Sequence, residues 1–297
     1  MNSISIAMAT YNGERYLREQ LDSILAQTVS FQELIICDDA SIDGTWSILS
    51  EYAKKDHRIK ILRNEHNIGF LKNFERVLKL CTGDFVALSD QDDIWLPEHL
   101  EILLNGIGNK MLIAGDAEII DADGKRTGKL LSYCTNLDYV PDSDLDKAYF
   151  LFFYTSQYHG MTMLMRNTFL KQALPVPEGV NYHDVWFGSF ACFYGGMQYV
   201  RIPVTLYRRL DTSVSGVKRR KPKIKSFIGH LFFDIYLKNR PIIVSAIRER
   251  LADTLTDEQQ TFLDKADVYY ARRKSFLGRF INLFFEISHC KLIYSIK

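Results

Sequence analysis

Neither common glycine-rich phosphate loop occurs in this sequence, so neither P-loop nor dinucleotide-fingerprint chemistry is expected of it. No apolar run reaches the length of a membrane span. Ser3 to Ala9 is too short for the apolar region of a secretory signal before it meets Thr10-Tyr11-Asn12-Gly13, and we expect no signal peptide. Cysteine is scarce. Cys37, Cys81, Cys134, Cys192 and Cys290 are odd in number, widely spaced and mostly set among apolar neighbours, which argues against a disulfide framework and against a zinc site. A reducing cytoplasm is the expected compartment. Low hydrophobicity is also lacking: 297 residues at 47% hydrophobic can bury a full core, and one large domain with an appendage is the natural prior.

Net charge is nearly absent as well, but the formal +1 conceals a division. Residues 1 to 217 carry 20 Lys and Arg against 28 Asp and Glu, whereas residues 218 to 297 carry 17 against 8. Such asymmetry marks two parts with different partners. The change falls at Lys218-Arg219-Arg220-Lys221-Pro222-Lys223-Ile224-Lys225. We therefore expect a first domain over 1–216 and a basic helical extension over 217–297.

The first part alternates between two periodicities. Ser3 to Ala9, Glu33 to Cys37, Ile59 to Arg63, Phe85 to Ser89 and Met111 to Ala114 are short apolar or β-branched runs bounded by polar turns, as buried strands are. Between them, Tyr16, Leu17, Leu21, Ile24 and Leu25 repeat at helical spacing, as do Trp46, Leu49 and Tyr52, and then Phe70, Phe74, Val77 and Leu78. The Glu98 to Gly106 segment reads as a further helix. This alternation predicts an α/β fold, a mostly parallel sheet flanked by helices, with ligands beyond the carboxyl ends of the strands. Four polar clusters follow those ends: Thr10 to Gly13, Asp38-Asp39, Asn64 to Gly69, and Asp90-Gln91-Asp92-Asp93-Ile94-Trp95. All four are expected to line one crevice. Asp43-Gly44-Thr45 reads as a turn opening the second helix.

The last cluster puts three carboxylates at the end of a buried strand. Carboxylate oxygens suit hard divalent cations, and Mg²⁺ or Mn²⁺ held by one or two acids completes its shell with phosphates and water. The run thus suggests chemistry on a diphosphate. The alternative is that these acids simply cap a turn or the following helix.

Ala9 to Gly13, Ile36 to Thr45, Thr82-Gly83-Asp84-Phe85 and the acid run together resemble the family 2 inverting glycosyltransferases, whose nucleotide-binding domain has the GT-A fold. The resemblance covers roughly residues 3 to 210. It implies a GT-A-like sheet and nucleotide contacts from Thr10, Tyr11, Asn12, Glu14, Asp39, Asn67, Lys72, Asp90 and Gln91. Among these, Thr10, Tyr11 and Asp39 would lie around the nucleobase and Asp90 near the ribose. Asp92 would ligate Mn²⁺ or Mg²⁺. Within the family, Asp-Gln-Asp-Asp-x-Trp looks most like rhamnosyltransferases of bacterial surface polysaccharide pathways, which implies a dTDP- or UDP-sugar donor and a glycan or lipid-linked acceptor.

Inverting transfer also needs a carboxylate that takes the proton of the attacking hydroxyl. In Tyr182-His183-Asp184-Val185-Trp186-Phe187, Asp184 sits where the family carries its catalytic acidic pair; the local alternative is a cap on a helix over Val185 to Tyr194. Trp95, His159, Gly160, His183 and Trp186 are candidates for the diphosphate or acceptor side. Residues Met161, Met163 and Met165 read first as a buried strand, and Phe150 to Tyr154 as core. Relatives commonly carry Tyr-Arg-x-His near Tyr207. This chain has Leu210 in place of that His, so Arg208, Arg209 or Lys218 become the candidate charges for the diphosphate.

Two readings stand for the basic extension. Phe227 to Leu237 and Ser275 to Tyr294 form either an amphipathic surface for anionic lipid at the inner face of the cell membrane, or helices packed on the catalytic domain or a second subunit. No nucleic-acid motif accompanies the charge. Two alternatives to a transferase are a nucleotidyltransferase, which would need a basic glycine-rich loop that Thr10 to Arg15 does not provide, and a catalytically silent scaffold of a polysaccharide assembly complex.

Overall fold

The computed structural model describes residues 2–134, 141–153, 158–209, 238–275, 277–279 and 281–282. Leu210, Lys218, the basic run at 218–225, the expected segment 227–237 and most of 275–294 lie outside the described residues. The chain forms two compact units, one of Met1–Leu131, Tyr158–Val176 and Met197–Gly216, the other of Ser132–Gln157, Pro177–Gly196 and Val217–Lys297. The expected division at 216/217 treated the first 216 residues as one body. Residues 132–157 and 177–196 group instead with the C-terminal segment.

The first unit is built on a nine-stranded sheet. Its strands are β1 (Ile4–Thr10), β2 (Glu33–Asp38), β3 (Ile59–Arg63), β4 (Phe85–Ser89), β5 (Ile94–Trp95), β6 (Leu112–Ile120), β7 (Arg126–Leu130), β8 (Met163–Arg166) and β9 (Met197–Arg208). The order is β3-β2-β1-β4-β8-β6-β9-β5, with β7 on β6. β1 to β4 pair in parallel as the periodicity predicts. β6 and β9 also pair in parallel, while β8 runs antiparallel to β4 and β6, β7 to β6, and β5 to β9, so antiparallel strands join the expected parallel ones. The sheet is mixed.

Helices α1 (Leu17–Leu25), α2 (Thr45–Lys55), α3 (Phe70–Leu78) and α4 (His99–Gly106) connect the strands, and α5 (Leu131–Cys134) and α7 (Asn167–Ala173) are short. α1 buries Leu17, Leu21 and Ile24 against Ile4, Ile6, Met8, Leu34 and Ile36 of the sheet. Each such fully buried side chain contributes about 1.5–3 kcal/mol. The methionine alternation is a 3-10 turn, Gly160–Thr162, running into β8.

The second unit contains α6 (Asp144–Phe153), α8 (His183–Phe193), α9 (Arg240–Leu251) and α10 (Asp257–Arg272). Phe152, Phe153, Phe193 and Phe262 meet as an aromatic cluster, and the Tyr270 hydroxyl donates to the Phe152 carbonyl. Phe150 to Phe153 are buried there, as expected of core. A capping box of Thr256 and Gln259 starts α10. Among the described residues no helix is long and apolar enough to cross a membrane.

Candidate active site

Because β1 to β4 are parallel, their polar ends share one edge of the sheet, and hydrogen bonds join them there. After β1 the chain turns through Asn12, a left-handed residue (φ 49°). Asn12 N–H donates to Ser41 Oγ at 2.9 Å, and Asn12 Oδ1 accepts from Ile42 N–H at 3.0 Å. Gly13 N–H donates to Thr45 Oγ1 at 2.8 Å. Glu14 and the 43–44 turn answer each other: Glu14 N–H donates to Asp43 Oδ2 at 3.1 Å, and Gly44 N–H to Glu14 Oε2 at 2.8 Å. Asp43 thus serves the turn that opens α2, as expected. Thr10 is buried, its hydroxyl 3.3 Å from Asp38 Oδ1. Asp38, which with Asp39 makes up the second expected cluster, also receives Ser41 and pairs with Arg63 Nε at 3.2 Å.

Asp39 is buried and organises the third cluster. Its Oδ1 accepts from Asn64 Nδ2 at 2.6 Å and from Ile68 N–H at 2.9 Å, while Oδ2 accepts from Gly69 N–H at 2.9 Å. Gly69 has φ 86°, a conformation glycine adopts without steric cost, and it begins α3. Asn67 closes the same turn on Gly69 N–H at 3.0 Å. Lys72 stands exposed in the first turn of α3.

Gln91 of the fourth cluster reaches back to the first. Its Oε1 accepts Tyr11 N–H and its Nε2 donates to the Tyr11 carbonyl, both at 2.9 Å. Asp92 follows, and burial pushes its carboxyl up despite the nearby Arg208. Asp93 is enclosed completely. Burial, then the charges of Asp92 and Asp90, push its carboxyl well up. Its Oδ1 accepts Arg208 N–H at 2.9 Å, whereas its Oδ2 is buried with no hydrogen-bond partner among the described residues.

Crowded acids with an orphaned carboxylate oxygen are the kind of site that a divalent cation relieves, and the all-oxygen donor set suits Mg²⁺ or Mn²⁺. Among the described residues no three His, Cys, Asp or Glu side chains converge as a self-sufficient metal cage. The fit is therefore to a cation that takes one or two carboxylates and finds its remaining ligands on a diphosphate and water.

Three expectations need correction. Arg208 is 1% exposed and turned inward. It donates Nε–H to the Asp92 carbonyl at 2.9 Å, Nη1 to the carbonyls of Asp121 (3.4 Å) and Ala122 (3.2 Å), and Nη2 to Glu19, with Tyr16 stacked 4.4 Å from its guanidinium. Each of its three nitrogens thereby donates to a group within the protein. Trp95 is 2% exposed and stacked on His99 at 3.8 Å, which makes it core. Trp186 is fully buried in the second unit against Phe190 and Arg250.

The other candidates fall as follows. Arg209 is half-buried, its N–H on the Ile120 carbonyl at 3.0 Å. Gly160 is buried, and burial lowers the His159 imidazole to about 4. Asp184 and His183 belong to the second unit. α8 starts at His183 with Tyr182 as its cap, so Asp184 is a first-turn residue rather than the cap itself, its Oδ1 taking Val185 N–H at 2.7 Å. Burial lowers His183 to about 4. Glu19 and Tyr16 went unread because their link to Arg208 spans most of the chain and leaves no local signal.

An α/β sheet with polar loops and acids beyond the carboxyl ends of its parallel strands is the framework of a GT-A-like fold. The fold likeness is direct. The crystal structure of Staphylococcus aureus TarS residues 1–349 in complex with UDP-GlcNAc matches with a TM-score of 0.55 and 17% identity over 91% of this chain and 81% of that one. The mannosyltransferase PcManGT of Pyrobaculum calidifontis, solved with GDP-Man and Mn²⁺, matches with a TM-score of 0.53 and 14% identity over 96% and 88%. Residues 5–172 match the family model for glycosyl transferase family 2, and the chain belongs to that family. The Escherichia coli UDP-Glc:alpha-D-GlcNAc-diphosphoundecaprenol beta-1,3-glucosyltransferase WfgD is 37% identical over 120 residues, 40% of this chain and 47% of WfgD. The matched segments span less than half of the curated relatives.

Proposed function

We propose that this chain is an inverting glycosyltransferase that moves a sugar from a nucleoside diphosphate to a glycan or lipid-linked acceptor in bacterial cell-surface polysaccharide synthesis. The observation that carries the reading is the hydrogen-bonded assembly of the Tyr11, Asp39 and Gln91 loops beside Asp92 at one sheet edge. Rhamnose from dTDP-rhamnose is the donor we favour, on the resemblance of the Asp90 to Trp95 motif. A UDP-sugar is the alternative.

In this reading the Tyr11 and Asp39 loops hold the nucleobase and Asp90 lies near the ribose. Asp92 would hold Mn²⁺ or Mg²⁺, which when bound neutralises charge developing on the diphosphate. Asp184 is our candidate for the base that takes the acceptor hydroxyl proton. The basic extension, 17 Lys and Arg against 8 acids over residues 218–297, supports a peripheral contact with anionic lipid at the cytoplasmic face of the membrane. A contact with a second subunit is the alternative.

The test is to incubate the purified protein with dTDP-rhamnose, UDP-glucose or UDP-GlcNAc, Mn²⁺ and a lipid-linked glycan, and to identify the product released. Nucleoside diphosphate, lost in Asp92→Asn, supports the transferase. Pyrophosphate released in a parallel incubation with a nucleoside triphosphate and a sugar 1-phosphate would instead point to a nucleotidyltransferase, and the absence of either product to a scaffold.

A further inference from the structure

We propose that Gln91, the middle residue of the acid run, is a positioning residue for the donor nucleoside: it sets the shape of the Tyr11 loop and ligates neither nucleotide nor metal. This rests on the nucleotide-sugar reading above. A single side-chain amide engages both backbone groups of Tyr11, accepting its N–H and donating to its carbonyl, each at 2.9 Å. The Tyr11 ring is 45% exposed. A pinned backbone under a partly exposed ring presents that ring to a planar group at little further cost in backbone entropy.

The surrounding loop is shaped around that amide. A Cβ on Gly13 would lie 2.3 Å from Gln91 Oε1 and 2.6 Å from its Cδ, so Gly13 is what lets the amide approach. On its far side the loop is tied to Ser41, Ile42 and Thr45 through Asn12 and Gly13. Gln91 supplies the tie on the near side. Chemistry also explains why an amide stands between two acids: a carboxylate at position 91 could accept from Tyr11 N–H but would face the Tyr11 carbonyl acceptor to acceptor. The amide therefore links the nucleoside side of the site to the residue adjoining Asp92.

The test is a double-mutant cycle with UDP and dTDP as titrants, in the presence of Mn²⁺, on the full chain. Gln91→Ala removes the latch. Gly13→Ala leaves Gln91 in place but displaces its amide, and in the double variant the three atoms nearest the new Cβ, all from the Gln91 side chain, are gone. Two neutral hydrogen bonds are lost in each case, so each single variant weakens the nucleotide that the native protein binds by about tenfold, and the double variant by about tenfold rather than about a hundredfold. Gln91→Glu weakens it as Gln91→Ala does. With sugar donor, KM rises while kcat holds. Additive losses, or a Gln91→Glu variant that binds like the native protein, overturn the proposal. Should Gly13→Ala fail to fold, the Ala and Glu variants at 91 decide by themselves. A native protein that binds neither nucleotide overturns the donor reading and this inference with it, whereas native binding with indifference to position 91 overturns this inference alone.

Discussion

Arg208 donates its backbone N–H to Asp93 Oδ1 and its Nε–H to the Asp92 carbonyl, both at 2.9 Å, so the last residue of β9 ties down the acid run twice. The guanidinium fork then spreads to the Asp121 and Ala122 carbonyls and to Glu19. Lysine has no planar fork with which to reach these acceptors together. We expect Arg208→Lys to cost about 1–3 kcal/mol in urea unfolding, the penalty of leaving buried acceptors unpaired. Glu19→Gln touches a side chain that is 57% exposed and should cost less than about 1 kcal/mol. Equal losses in the two variants would show that the fork is not what holds the loop.

Asp39 offers a second prediction. Its carboxylate receives Asn64 and the N–H groups of Ile68 and Gly69. Asp39→Ala strands those donors, and we expect about 1–3 kcal/mol of local destabilisation. Hydrogen exchange at Ile68 and Gly69 should accelerate by one to two orders of magnitude, about what that energy corresponds to, while Leu34 and Ile36 in β2 stay protected. Unchanged exchange at Ile68 and Gly69 would show that the loop is held by something else.

At the other end of the strands, Glu33 sets a pH dependence of stability. Burial alone would push its carboxyl up, but hydrogen bonds from Lys60, Ser5 and Thr82 outweigh it and hold it down to about 2 from its ordinary 4.5. The folded state therefore binds this proton more weakly than the unfolded state. The stability it contributes is complete above about 4.5 and is lost as pH falls toward about 2. Glu33→Gln should lower the melting temperature at pH 7 and flatten its decline over that window, relative to the native protein. Parallel melting curves for the two proteins across the window would contradict this.

The parallel half of the sheet was legible because each strand there is a short apolar run followed by turn chemistry, and the four polar clusters follow from the same pattern. β9 was not legible. It carries exposed Arg201 and Ile202 and an internal Pro203 accommodated by a register shift against β6, so neither alternation nor composition announces a strand. β5 is two residues long and exists because Ile94 and Trp95 pair with Leu206 and Thr205 far along the chain. The same distance hid the setting of Arg208: beside the position where Leu210 replaces a His it reads as a diphosphate ligand, and the carbonyls of residues 92, 121 and 122 converge on it only in the fold. Membership of 132–157 and 177–196 in the second unit is likewise non-local, while the charge division reports only on the tail.

Asp184 separates a structural from a chemical role most sharply. It lies in the first turn of α8, where the helix N-terminus favours a negative charge, and its Oδ1 accepts the neighbouring Val185 N–H at 2.7 Å. Asparagine keeps an acceptor oxygen for that bond and loses only the charge, so Asp184→Asn should shift stability by less than about 1 kcal/mol. An amide does not take a proton from an acceptor hydroxyl. If Asp184 is the base, the variant should bind UDP or dTDP as the native protein does while sugar transfer falls by about 10²–10⁴. A loss of nucleotide affinity equal to the loss of transfer would place Asp184 in donor binding. Transfer at the native rate would remove it from the chemistry, and its carboxylate would then be a helix-terminal charge and no more.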